Sequence, residues 1–464
     1  MQLFHRSTSL SASFDDSNLV SAAGLVPAML LATSTGLSEL ANRWLTLPGY
    51  FGANAGLKVT AMVAGMLAGA DSIDDMALLR HGGMKKLFVG TYAPSTLGSF
   101  LRAFTFGHVR QLDAVARRWL INVAKTAPIV AGIDDYALVD IDDTIKEVHG
   151  YQKQGSGYGY SGVRGLNALI GIVSTTVSAP VIIGARLRKG AAGSPRGAGK
   201  FVADILATVT RLRSATAGGL VLLRADSAFY GYAVVSAAHR AGAKVSITAR
   251  MDPAVKRAIA TIPDDAWTTI DYTDAIRDET TGTWISSAEV AEIAFTAFSS
   301  RKISERITGR LVVRRIPELN PFDGAGQPTL FDTHRFHAFF TTSTLDTVTA
   351  DTTHRAHAAI ELVNADLKSG ALAHLPSGVF AANAAWLVLA VIAFNLTRAT
   401  AATAGTGLAR STTATIRRKL INIPARIASS ARRVTLHLPE NWPWETGWTR
   451  LFDHAFAPPS PTPT

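Results

Sequence analysis

Not one of the 464 residues is a cysteine, which removes disulfides, thiolate zinc sites and cysteine nucleophiles in one step. Any metal must then be held by oxygen or imidazole. Charge is sparse as well. Only 17% of residues are charged, beside an apolar fraction of 47%, and that balance excludes a disordered chain. Acids are the scarcer sign, 35 against 46 basic residues, for a formal net charge of +11 and a pI near 9.9. Such an excess favours a polyanionic partner, nucleic acid or an anionic membrane, although charge serving solubility alone gives the same count. The first residues, "MQLFHRSTSLSASFDDSN", lack the succession of charged, apolar and small residues that export needs, so a cytoplasmic protein is expected. Long apolar runs are few. The run from Leu19 to Leu37 is broken by Pro27, Ser34 and Thr35, and that from Phe380 to Ala399 carries Asn383 and Asn395 amid many alanines. The second reads as a buried helix of a large core rather than a membrane span.

The length predicts two or three domains. Up to about residue 130, apolar positions recur every three or four residues, as in "GLKVTAMVAGMLAGA" and "VRQLDAVARRWLINVA", which predicts helices. In "APSTLGSFLRAFTFGHVRQL", Ser95 or Thr96 is the expected N-cap of a helix, with Arg102 and Arg110 along the segment that follows. From about Asp134 the pattern turns to strands: "ALVDIDD", "GLNALIGIVSTT" and "APVIIGARLRKG". Helix, strand, helix and strand follow in "FVADILATVTRLR", "GLVLLRADSAF", "YAVVSAAHRAGA" and "KVSITAR". This order predicts an α/β fold, a mixed sheet flanked by helices. Extended pieces and the turn "NPFDGAGQP" between about Asp252 and Arg335 predict a β-rich insertion. A strand, "RFHAFFTTS", and two long helical segments follow. From Gly407 to Arg433 the tail carries Arg410, Arg417, Arg418, Lys419 and more cations without an acid, and "HLPENWPWETGW" adds three tryptophans. Cations beside aromatics suit a nucleic-acid backbone.

The segment "YALVDIDDTI" ends an apolar strand in three aspartates. By itself "DIDDT" fits the D-x-D-x-T motif of haloacid-dehalogenase-like phosphatases, with Asp140 as nucleophile and Asp142 as general acid. That family also needs a later acidic pair closing another strand, and "RADSAF" supplies a single Asp. A different reading joins carboxylates from several elements: Asp142 near the end of one strand, Asp226 closing "LVLLRAD", and a third acid, the minimum for holding Mg²⁺ ions that act on a phosphodiester. Asp226 could equally cap the helix that follows it. The helical segment "HRAHAAIELVNADLKSG" offers the third acid, and spacing alone does not choose Glu361 over Asp366.

The blocks "STLGSFLRAFTFGHVRQLD", "LVDIDDT", "GLNALIGIVST", "RADSAFY", "HLPSGVFAANAAWLVLAVIAFNLTRA" and "LHLPENWPWE" occur in order along nearly the whole chain. Together they resemble the DDE insertion-sequence transposases with an RNase H-like core, in the group labelled insertion-sequence thirteen-eighty. The resemblance implies catalytic and metal-binding roles for Asp142, Asp226 and Glu361, which would hold two Mg²⁺ ions, with Mn²⁺ able to substitute. It implies binding of terminal inverted repeats and target DNA, strand cleavage and strand transfer, and a homodimer in a synaptic complex. The family's helix pattern of Tyr, Arg, Glu and Lys places Lys368 at the Lys position but His357 at the Arg position and His354 at the Tyr position; Arg355 is the nearby substitute cation. Lys153, Arg102, Arg110, Arg417, Arg418 and Lys419 are further expected DNA contacts, joined by Lys146 and the loop bearing Arg186, Arg188, Lys189 and Arg196. The expected organisation is a helical end-binding domain (1–130), a catalytic core in two parts (131–252 and 335–405), a β-rich insertion (253–334) and a basic arm (406–464). A catalytically inactive DNA-binding relative is the alternative. Asp143 is expected to face away from Asp142 and to be dispensable for the chemistry, and the role of Asp140 stays open.

Overall fold

The computed structural model describes residues 1, 9–150, 152–277, 282, 284–317 and 334–457. At its centre is β1 (Tyr136–Glu147), whose apolar residues Ala137, Val139 and Ile141 are fully buried. It pairs antiparallel with β2 (Arg164–Ser174) on one side, and β2 pairs with β3 (Val181–Lys189) at the edge. On the other side β1 runs parallel to β4 (Leu220–Ala225), and β4 to β5 (Lys244–Thr248). Parallel neighbours need crossovers. Helix α6 (Ala198–Leu212) carries the chain from β3 to β4 and α7 (Tyr232–Arg240) from β4 to β5. Gly171 and Gly184 face each other across β2 and β3, and α6 packs directly on them: a Cβ on Gly184 would lie 2.7 Å from the Ile205 side chain.

The segment expected as a β-rich insertion contains strands, and they extend the central sheet through the strand that follows them. After α8 (Pro253–Ile259), strands β6 (Thr268–Arg277), β7 (Trp284–Ala297), β8 (Ile307–Pro317) and β9 (His334–Thr341) form an antiparallel run, and β9 pairs with β5. The path across the sheet is therefore β3-β2-β1-β4-β5-β9-β8-β7-β6. The turn "NPFDGAGQP" lies outside the described residues.

Helices α1 (Leu25–Ser34), α2 (Leu37–Trp44), α3 (Ala55–Ala68), α4 (Pro94–Arg102) and α5 (Phe106–Thr126) precede the sheet. Pro94 occupies the first turn of α4 with Ala93 as its cap residue, so Ser95 and Thr96 sit inside the helix rather than capping it. After β9 the chain forms α9 (Thr347–Arg355), a 3₁₀ turn (Ala356–Ala358), α10 (Ala359–Lys368) and α11 (Phe380–Ala404). Among the described residues α11 is the one helix long and apolar enough to cross a membrane, and it is the buried axis on which α3, α5 and β3 pack. Its two asparagines have structural partners. The Asn395 amide pairs with both backbone groups of Ile182 on edge strand β3, at 2.9 and 2.7 Å, and Asn383 does the same for Ser377, at 3.0 and 2.8 Å. The Asn395 amide stands in for a missing strand neighbour and the Asn383 amide satisfies the loop backbone at Ser377, which is how polar groups enter an apolar helix without an unmet hydrogen bond.

The basic tail folds back on the body. Strand β10 (Ala425–Ser430) pairs with Leu19–Val20 and with β11 (Arg433–His437), and α12 (Glu445–Phe456) packs on α1 and α11, burying Trp448 and Leu451.

Candidate active site

The register of β1 against β4 builds the site. Asp140 lies beside Arg224 and Ile141 beside Ala225, so the next pair along, Asp142 and Asp226, comes side by side where β4 ends. Alternation along β1 puts Asp140 and Asp142 on one face and Asp143 on the other.

On the first face Asp140 is fully buried. It accepts hydrogen bonds from Arg224 Nε and Nη2, both at 2.7 Å, and contacts His357 Nδ1 at 3.0 Å. Burial pushes the Asp140 carboxyl up, but Arg224 and His357 outweigh it and hold the group below the usual carboxylate range. Arg224, 1% exposed, also donates to the Thr353 carbonyl at 2.6 Å. Strands β1 and β4 and the turn between α9 and α10 are thus tied together by one buried ion pair.

Two helical turns beyond His357, the Asn364 amide donates to Asp142 Oδ2 at 2.9 Å. The helix face between these anchors carries Glu361, four residues after His357 and three before Asn364. Glu361 is exposed and forms no ion pair or hydrogen bond among the described residues. The Asn364 Oδ1 atom is buried and receives no donor. Burial, helped by the neighbouring charges of Asp226 and Asp143, pushes Asp142 up to about 6. Partial burial pushes Asp226 up as well. Asp226 also accepts the Ala228 N–H at 3.0 Å and so caps a 3₁₀ turn, the structural role its position allowed. Among the described residues no three of His, Asp or Glu form a group that could hold a metal ion; Asp142 and Asp226 adjoin across the β1–β4 register and Glu361 is exposed on the helix above.

Asp143 faces away, as expected, but it has a structural partner. Arg188 Nη2 binds it at 2.6 Å and Asn167 donates to it too. Asp366, the rival third acid, is buried and accepts the Thr413 N–H at 3.0 Å, with Arg398 3.5 Å away. It is committed to anchoring the tail, which leaves Glu361 as the free acid on this helix.

Several expected DNA contacts are engaged inside the protein. His354 stacks on Phe339 at 4.1 Å and bonds Ser246 and Thr248, and burial pushes its pKa down to about 3. Lys153 binds the carbonyls of Leu375 and Ser377. Arg110 pairs with Asp113 and Asp204, Arg355 with Asp351, and Arg417 reaches the Leu67 carbonyl at 3.0 Å. Lys419 lies over the Trp444 ring at 5.0 Å. Lys368, Arg102 and Arg418 remain exposed. The sequence reading missed Arg224 and Asn364. Arg224 had a signal: a single cation inside the apolar run "LVLLRAD", two residues before Asp226 just as Asp140 is two before Asp142.

The phosphatase alternative fails on this geometry. Its nucleophile would be Asp140, whose two oxygens are sealed against Arg224 and His357. None of the curated proteins compared with the chain matches it. A family model described as the transposase DDE domain, group 1, matches residues 3–457, and the chain belongs to that family of transposases.

Proposed function

We propose that this transposase binds the terminal inverted repeats of an insertion sequence, cleaves DNA strands at them and transfers the ends to target DNA in a cut-and-paste reaction. One observation carries the reading: Asp142 within β1 and Asp226 just past the end of β4 lie side by side beneath a helix that His357 and Asn364 fasten over them, with Glu361 on the same face. The inner strand order β3-β2-β1-β4-β5, with β2 antiparallel and the rest of the centre parallel, supports an RNase H-like core. The block matches support placing the chain in the thirteen-eighty group.

The donor set suits a divalent cation. Every candidate ligand is a hard oxygen, the two aspartates repel each other, and the orphaned Asn364 Oδ1 adds a third oxygen without a donor. Asp142, Asp226 and Glu361 would hold the metal. When bound, two Mg²⁺ ions, or Mn²⁺ in their place, supply activation of water or a 3′-hydroxyl and stabilisation of the departing 3′-oxygen. The protein's own groups do the positioning. Asn364 fixes the Asp142 carboxylate, the Asp140–Arg224 pair fixes the spacing of the two strands, and exposed Lys368 steadies a phosphate on the helix side. Glu361 swings in from solvent as DNA docks. The helices of residues 1–130 would grip the repeats, and two copies would pair the ends in the cytoplasm.

A catalytically inactive DNA-binding relative is the second reading, favoured by the lack, among the described residues, of a group of three acids or histidines placed to hold a metal ion. Incubation with Mg²⁺ and duplex DNA bearing the element's ends separates the two. Repeat-dependent cleavage that Asp226→Ala abolishes supports the transposase; binding without cleavage supports the inactive relative.

A further inference from the structure

A cavity of about 550 Å³ opens at the sheet edge, between β3, the beginnings of α5 and α11, and the loop leading into α6. Its wall follows β3 from Ala185 to Lys189, the side of that strand with no strand neighbour. The lining has two characters. Phe106, 78% exposed, faces Leu187, Val109 and Phe380 across an apolar interior. Around it stand six cations against a single acid, Asp113, which Arg110 and Arg117 already neutralise at 3.1 and 2.7 Å.

Three of those cations, Arg110, Arg186 and Arg188, are engaged by Asp113, Asp204 and Asp143. The other three, Lys189, Arg196 and Lys200, are exposed and form no ion pair or side-chain hydrogen bond among the described residues. Unpaired cations gathered on the rim of an apolar recess raise the local concentration of a polyanion. The volume lies within the range of pockets that enclose small ligands or single residues of a polymer. Arg188 links this wall to the catalytic strand, because it lines the cavity while binding Asp143, the neighbour of Asp142.

We propose that this cavity receives one or two nucleotides of single-stranded DNA, with phosphates on Lys189, Arg196 and Lys200 and a base against Phe106. An apolar platform inside a cationic rim is the combination that single strands recognise: the cations track the backbone and any base can stack on the ring. An extended peptide added to the β3 edge is disfavoured by the charge, since it would have to be strongly acidic. The inference rests on the transposase reading above and extends it by naming where an unpaired strand goes.

The test uses the full chain and a labelled mixed-sequence oligonucleotide, offered single-stranded and as a duplex. In Lys189→Glu/Lys200→Glu, single-strand affinity should fall at least about tenfold and the slope of log affinity against log salt should shrink by about 1 to 3, with the melting temperature unchanged. A photoreactive benzophenone amino acid in place of Phe106 should crosslink to the single strand. Unchanged affinity and slope, or a loss of affinity without any crosslink from position 106, overturns the proposal. If the wild type cleaves repeat-bearing duplex while the double variant binds single strands normally, only the cavity assignment falls. If the wild type binds no DNA, the functional reading falls with it. Crosslinking to an acidic peptide in preference to the oligonucleotide also overturns the assignment.

Discussion

Asp142 within β1 and Asp226 just past the end of β4 are held by strands fastened by one buried ion pair, whereas Glu361 is exposed on its helix with no ion-pair or hydrogen-bond partner among the described residues. The strand side of the site is held by structure; on the helix side the buried face, Ile360, Val363 and Leu367, is packed in the core while Glu361 on the outer face is left to solvent. Groups that must keep a fixed spacing gain from such support. A group that closes on a ligand gains from freedom. The same division runs through the cations. Arg188, Arg224 and Arg417 are committed to the fold, while Lys189, Arg196, Lys200 and Lys368 are left to solvent.

Substitutions should separate the two sides, beginning with the largest effect. Arg224→Ala leaves Asp140 buried with only His357 beside it and should cost about 3 to 5 kcal/mol of stability, read by denaturant unfolding, because one partner of a buried pair is lost. Next comes His354, held neutral in the fold. Its folded pKa is depressed below the unfolded value near 6.5, so at pH between the two the unfolded chain binds a proton that the folded chain refuses. Its contribution is therefore complete above about pH 6.5 and shrinks as pH falls towards 3. His354→Phe should flatten that part of the stability curve measured from pH 7 to pH 4.

The effect on Asp142 has the opposite sign. Its carboxyl is raised, so ionising it costs stability as pH climbs from about 4 to about 6. Without metal, Asp142→Asn should raise stability by about 1 kcal/mol at neutral pH, a figure discounted for partial exposure, and should cancel any stabilisation by added Mg²⁺. A lower melting temperature would contradict this. Glu361→Gln should change stability least, within about 0.5 kcal/mol, as for a surface position.

Much of this architecture was legible in the sequence. The three β-rich runs after Asp134 are β1, β2 and β3, since β-branched and apolar residues there are bounded by glycine turns. Asp142 and Asp226 were visible because acids that end apolar runs need a reason. Pairings between distant segments were not legible. Asn364 looks like any polar residue on an amphipathic helix until the register of β1 places Asp142 beneath it, and the Arg188–Asp143 contact needs three strands in register. His354 sits at a family motif position, yet local sequence could not show that Phe339 would stack on it. The insertion's strands were visible as β-rich runs, but that they would extend the central sheet through β9, the strand that follows them, was not, because strand periodicity says nothing about which neighbour a strand joins.

The account is tested most directly by Glu361→Gln, assayed with Mg²⁺ on duplex DNA carrying the element's ends while its melting temperature is recorded. It predicts that cleavage falls by at least about a hundredfold, roughly 3 kcal/mol in barrier, with the melting temperature unmoved. Cleavage at the wild-type rate would contradict it, because an exposed, unpartnered glutamate would then have neither a structural nor a chemical role.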